Sequence, residues 1–111
     1  MNGRIGHCFR LCLNFIVDNE GYELVHGIVK DPTGRGRYSQ LAHAWLEKDG
    51  VVYDITWDIE MPVEAYYRFF RAEERARYNR IEAAKLSIET RHSGPWGDTI
   101  DFNSDVIMVR A

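Results

Sequence analysis

The stretch Leu41–Trp57, LAHAWLEKDGVVYDITW, constrains the fold more than any other part of the chain. Two runs rich in alternating, β-branched and aromatic residues flank Asp49-Gly50, a dipeptide suited to the positive φ angles of a two-residue hairpin turn. With Asp49 and Gly50 as the loop, Lys48 faces Val51, Trp45 faces Asp54 and His43 faces Thr56. Residues opposite each other share a sheet face, as do residues two apart on one strand. His43 and Asp54 are then diagonal neighbours, roughly 5–8 Å apart. A one-residue slip would send them to opposite faces, so the pairing depends on an even-length loop. A carboxylate beside an imidazole fixes its tautomer and orientation, as general-base chemistry requires. Asp58 has the same parity and is the fallback acid, beyond the expected strand end.

At 111 residues the chain suits one domain, 1–111, around a single modest core. Its formal charge of −3 implies neither disorder nor a strong electrostatic partner. The arginines between Arg68 and Arg91 are interleaved with Glu73, Glu74, Glu82 and Glu89, which reads as a solvated helix surface rather than a nucleic-acid patch. Cys8 and Cys12 are too few and too close for a disulfide framework and favour a reducing compartment. The N-terminal apolar run carries Arg10 and Asn14 and continues into Asp18-Asn19-Glu20. It is too short and interrupted for a signal peptide or a membrane span, so a cytoplasmic chain without a membrane partner is expected.

Along the chain, Gly6 to about Asp18 reads as a helix with Cys8, Leu11, Cys12 and Phe15 on one stripe. Phe9, Leu13, Ile16 and Val17 add apolar surface around most of its circumference. Gly21 suits a left-handed cap. Tyr22–Val29 reads as a strand, with Tyr22, Leu24, His26 and Ile28 on one face, and Asp31–Gln40 as a mobile loop edging the His43 strand. Met61-Pro62 opens a second helix running to about Tyr78, with Val63, Tyr66, Tyr67 and Phe70 as its stripe. Asn79-Arg80-Ile81-Glu82 resembles a capping box for a third helix packed through Ile81, Ala84 and Ile88 and stopped at His92-Ser93-Gly94-Pro95. Val106–Val109 reads as a last strand. The order αβββααβ, with antiparallel pairing at its centre, predicts an α+β fold.

A cysteine attacks as thiolate, and thiolates are favoured at helix N-termini and beside imidazolium. Cys8, behind Gly6-His7, stands in the first turn of its helix, where backbone N–H groups could also hold an oxyanion. Cys12, one turn deeper, reads as a packed thiol, and a small buried hydrophobe is the plainer reading of Cys8 too. His7 flanks the helix start, His26 reads as a strand residue with a hydrogen-bonded partner, and His92 belongs to a helix stop. Trp45 and Trp57 read as hairpin packing. A metal site from His7, Cys8, Cys12 and His43 is a separate reading, without Cys-x-x-Cys or His-Glu-x-x-His spacing to support it, and no cofactor is expected.

The pieces Cys8-Phe9, Glu23-Leu24-Val25-His26-Gly27, His43-Ala44-Trp45 and Tyr53-Asp54-Ile55-Thr56-Trp57 occur in the order found in the papain-like, transglutaminase-like cysteine superfamily. The chain resembles that superfamily over most of residues 6–97, and small bacterial and phage members in particular. Glu82-Ala83-Ala84 through Gly94-Pro95-Trp96 is also similar to the phage-associated proteins. At Leu11-Cys12 it departs from the Asn-Ala that such sequences often carry, which leaves Cys12 as the alternative nucleophile. The resemblance implies a papain-like core with the Cys8 helix on a small antiparallel sheet, and a Cys8-His43-Asp54 triad. Cys8 would attack an acyl carbon, His43 would exchange protons with thiol and leaving group, and Asp54 would orient His43. A peptide or protein substrate is implied, processed by hydrolysis, deamidation or acyl transfer. Asn2 stands at a spacing like that of an oxyanion-hole glutamine. The superfamily also contains members without activity, so a binding module on the same scaffold is the alternative.

Overall fold

A computed structural model describes residues 7–33 and 35–108. Asn2, Gly6 at the head of the expected first helix, and Val109 at the end of the expected last strand lie outside the described residues. Helix α1 (Cys8–Asp18) leads into strands β1 (Glu23–Lys30), β2 (Tyr38–Lys48), β3 (Val51–Asp54) and β4 (Ile59–Pro62). Helix α2 (Val63–Phe69), strand β5 (Glu73–Tyr78), helix α3 (Arg80–Thr90) and the short strand β6 (Ile107–Met108) follow. The strands make one antiparallel sheet in the order β4-β3-β2-β1-β5, with β6 against the start of β2. The class is α+β, with the N-terminal helix packed on the sheet.

The central hairpin turns on two residues. Asp49 (φ 52°) and Gly50 (φ 78°) are both left-handed, and Lys48↔Val51, Glu47↔Val52 and Leu46↔Tyr53 pair across it. That right-handed local twist suits the flanking strands and sets an even register. The expected strand 51–57 is shorter, however, because the chain turns at residues 55–58, where Asp58 adopts φ 52° and its N–H donates to Ile55 O. It then doubles back as β4, pairing Asp54 with Ile59 and Val51 with Pro62. The alternation of Ile55 and Trp57 belongs to this turn rather than to a strand.

Both faces of the sheet are covered, which is why β1 is buried at six consecutive positions. On one face α1 lays Cys12 and Ile16 against Leu24, Leu46, Ala83 and Trp96. On the other, Val25, Val29, Trp45 and Val52 pack under Tyr66 and Phe70 of the α2 region. Helix α1 exposes only Arg10, Asn14 and Asp18 among its residues, a single polar strip. Its fully buried positions are Cys8, Cys12, Leu13 and Ile16, with Leu11 and Phe15 half-buried at its flanks. Gly21 takes φ 90° just beyond the helix, the conformation expected of it.

Three expectations are corrected. The second helix ends at Phe69, Arg71 turns left-handed, and residues 73–78 form β5 on the free edge of β1. Glu and Arg prefer helix locally, but pairing with β1 and a set of ion pairs outweigh a preference of a few tenths of a kcal/mol per residue. Arg75 reaches Glu73 and, bidentately, Asp105, while Arg77 reaches Glu23, Glu47 and Glu74 at 2.7–3.0 Å. Part of the presumed solvated helix surface is therefore an edge strand laced by charge. Second, α3 has the capping box, with Glu82 N–H donating to Asn79 Oδ1 at 2.8 Å and Asn79 N–H to Glu82 Oε1 at 2.9 Å. Yet it buries Ala83 and packs Leu86, leaving Ile81 70% and Ile88 76% exposed. The small Ala83 lets α3 lie close to α1, where Arg80 Nε donates to Val17 O, and this contact selects the face. The helix closes at Arg91, itself left-handed, a residue before His92. Third, the loop after β1 is shorter, since Tyr38–Gln40 already belong to β2 and pair β6.

Candidate functional site

β2 and β3 carry His43 and Asp54 on the same sheet face, and both side chains are almost fully buried. His43 Nε2 donates to Asp54 Oδ2 at 2.8 Å. The Tyr66 hydroxyl of α2 donates to the same oxygen at 2.6 Å, and Trp57 N–H reaches Asp54 Oδ1 at 3.4 Å. Burial opposes charge on Asp54, but His43, Tyr66 and the Trp57 amide hold the carboxyl below the usual carboxylate range. Burial also opposes charge on His43. The Asp54 charge and hydrogen bond, with the Cys8 sulfur adding, outweigh it and raise the imidazole to about 10. Trp57 stacks on His43, with centroids 4.7 Å apart, and on Phe70 at 4.9 Å, which confines the imidazole plane. Gly27 pairs with His43 across β1–β2, and a Cβ there would lie 2.2 Å from Glu73 O and 2.7 Å from Trp45 Cη2. Close strand approach at this rung requires glycine.

Cys8 is the first residue of α1. Its thiol is near enough to hydrogen-bond His43 and support its charge, although no well-directed bond closes on Nδ1. The thiol is therefore an adjacent group rather than a fixed partner, and Nδ1 is left to accept or give a proton. The β2–β3 pairing runs from Lys48↔Val51 to Leu46↔Tyr53, so His43 lies beyond its last paired rung. A cleft of about 430 Å³ reaches Cys8 from outside, bounded by His7, Arg10, Ala42, Gly94 and Phe102. Cys12 is fully buried. Desolvation, then the neighbouring Cys8 and Asp54, push its thiol well up, the condition of an inert sulfur.

The remaining candidates separate from this cluster. Asp58 is exposed on the turn after β3 and makes no contact with His43. His7 is exposed at the N-cap of α1, where its side chain makes no capping hydrogen bond. His92 is exposed, its Nδ1 accepting from Gly94 N–H. His26 differs from expectation. It is fully buried, and neither ring nitrogen has a hydrogen-bond partner among the described residues. Its surroundings are the rings of Phe9, Trp96 and Tyr78, at centroid distances of 4.7, 5.2 and 5.3 Å, and burial lowers it to about 3. Trp45 is packed as expected, with Nε1 donating to Glu47 Oε2. Among the described residues no three His, Cys, Asp or Glu side chains gather as metal ligands would, and no helix is long and apolar enough to cross a membrane.

Two neighbours of the cluster escape sequence reasoning. Tyr66 reads there as one member of an apolar stripe, and Trp57 as hairpin packing. Aromatic residues i+12 and i+3 from Asp54 carry no spacing signal, since α2 reaches the sheet only through the intervening β4 hairpin. No family model matches the chain, and neither a curated protein nor a solved structure matches it.

Proposed function

We propose that this chain is a cysteine-dependent hydrolase or acyl transferase of papain-like, transglutaminase-like type, acting on an amide-type substrate through Cys8, His43 and Asp54. The observation that carries the reading is the hydrogen-bonded chain from Tyr66 through Asp54 to His43, with the Cys8 sulfur close enough to support the imidazole's charge. An imidazole held at Nε2 by a carboxylate, with a thiol beside it, is placed for proton exchange with that sulfur. In the first half-reaction Cys8 Sγ bonds to the acyl carbon while His43 holds the proton the thiol gives up. The tetrahedral oxyanion lies near backbone N–H groups of the first turn of α1. Collapse breaks the C–N bond, and His43 delivers its proton to the departing amine, leaving a thioester on Cys8. Water or an acceptor amine then attacks, His43 takes and keeps its proton, and the acyl product leaves as the Cys8 sulfur is released beside the imidazolium. Asp54 remains ionised throughout and stabilises the imidazolium.

One observation favours the other reading, a binding module without catalysis: Cys8 is 2% exposed and His43 1%. Alkylation with iodoacetamide at neutral pH separates the two. The enzyme reading expects one thiol to react at least roughly tenfold faster than in the unfolded chain, with loss in Cys8→Ala, retention in Cys12→Ala, and a drop of about the same factor in His43→Ala. If Cys12→Ala removes the fast thiol instead, the nucleophile is misassigned. If no thiol outruns the unfolded control, the domain is a binding module.

A further inference from the structure

A second cavity, about 700 Å³ in volume, shares no lining residue with the cleft at Cys8. Its walls are apolar: Leu41 of β2, Trp57 from the turn after β3, Ile59 of β4, and Phe69 and Phe70 at the end of α2. Phe69 is 55% exposed, an unusual position for an aromatic ring with a concave apolar wall beside it. The loop after β1 forms the mouth through Asp31, Pro32, Thr33, Gly36, Arg37 and Tyr38.

The two charges at that mouth are not equivalent. The Asp31 carboxylate is consumed by the loop itself, accepting from Thr33 N–H at 2.9 Å, Thr33 Oγ1 at 2.7 Å and Gly36 N–H at 2.5 Å. Arg37 is exposed, lies 5.7 Å from the Tyr38 ring, and forms no ion pair with any described residue. An apolar cavity with one uncompensated cation at its rim complements a ligand with an apolar body and a single anionic end. From this we infer that the cavity binds an amphipathic monoanion, such as a medium-chain alkyl carboxylate, with its chain against Trp57, Ile59 and Phe69 and its carboxylate at Arg37.

Decanoate, added to the full chain below its micellar concentration, tests the assignment by calorimetry and by tryptophan fluorescence, with Trp57 the one tryptophan among the cavity's lining residues. Saturable binding is expected, strengthening from octanoate to decanoate by up to roughly fourfold per methylene buried. Phe69→Ala, at an exposed position that folding tolerates, should weaken decanoate severalfold. Arg37→Ala should weaken it about two- to fivefold, the range of an exposed ion pair, and added salt should narrow that difference. Decyltrimethylammonium should bind more weakly than decanoate. Equal or tighter binding of the cation, or no effect of Arg37→Ala, overturns the anionic end. Absence of saturable decanoate binding overturns the site. Self-association abolished by Phe69→Ala and unaffected by decanoate would instead assign the surface to a second copy of this chain. None of these readouts uses Cys8 reactivity, so failure here leaves the catalytic reading standing.

Discussion

His26 and His43 lie one rung apart on adjacent strands, since Gly27 pairs with His43 and His26 with Ala44, and they face opposite sides of the sheet. Both are essentially without solvent contact. His43 meets a carboxylate that two further donors hold ionised, and it is driven up to about 10. His26 meets only Phe9, Trp96, Tyr78 and the Gly94 backbone, and it is driven down to about 3. Equal burial thus produces opposite charge states. Desolvation sets how much is at stake, and the presence of one counter-charge decides the sign. The same two strands thus supply a charged imidazole on the Trp45 face and a neutral aromatic filler on the α1 face.

The sharpest way to break the comparison is to remove the counter-charge. Asp54→Ala leaves His43 buried beside no anion and strands the Tyr66 hydroxyl. Breaking a buried pair in this way costs about 3–5 kcal/mol, so urea unfolding near pH 7 should show a loss of that size. Imidazole NMR should show His43 titrating far below its wild-type value, toward the behaviour of His26. A stability change under 1 kcal/mol would mean that Asp54 does not govern His43. In the intact protein the raised imidazole stabilises fully below an unfolded-state pKa of about 6.5. That contribution is lost as pH rises through about 10, so alkaline titration should weaken the fold on this account.

A smaller change tests how Asp54 is kept ionised. Tyr66→Phe removes one hydrogen bond to a charged acceptor and leaves the ring packed against Trp45 and Phe70. Such bonds contribute about 2 kcal/mol, and a loss near that value in urea unfolding is expected. His43 should remain raised, because its own bond to Asp54 is untouched. A loss as large as that of Asp54→Ala would show that Tyr66, not His43, is the main partner of the carboxylate.

What the sequence makes legible follows from how local each cause is. Asp49-Gly50 carries its turn type in two residues, and the turn then sets the register that brings His43 to Asp54. The capping box at Asn79–Glu82 is equally local. β5 is not, because Glu73–Tyr78 becomes a strand only through the edge of β1 and the acidic partners of Arg75 and Arg77. Nor is the packing face of α3, where Ile81 and Ile88 outrank Ala83 in hydrophobicity but Ala83 fits the approach to α1. His26 is the extreme case. Its lack of a partner depends on residues 9, 78, 94 and 96, from three separate parts of the chain, none of which signals an apolar box alone.

The smallest effect separates the two histidines by pH alone. The unfolded chain protonates His26 as pH falls through about 6.5, whereas the native box refuses the proton until about 3. Its contribution is therefore present above 6.5 and lost as pH falls toward 3. Between pH 7 and pH 5.5 this removes about 1 kcal/mol of stability. His43 behaves oppositely in that interval, being charged already in the native state, so its contribution does not decline on acidification. His26→Leu removes the titrating group and the two unbonded nitrogens while keeping an apolar filler. Urea unfolding of wild type and His26→Leu at pH 7.0, 6.0 and 5.5 should show the wild type losing about 1 kcal/mol relative to the variant. The other titrating groups cancel in that difference. Parallel curves would mean that His26 takes up a proton in the folded protein, and that the ring box admits water or charge that its geometry does not accommodate.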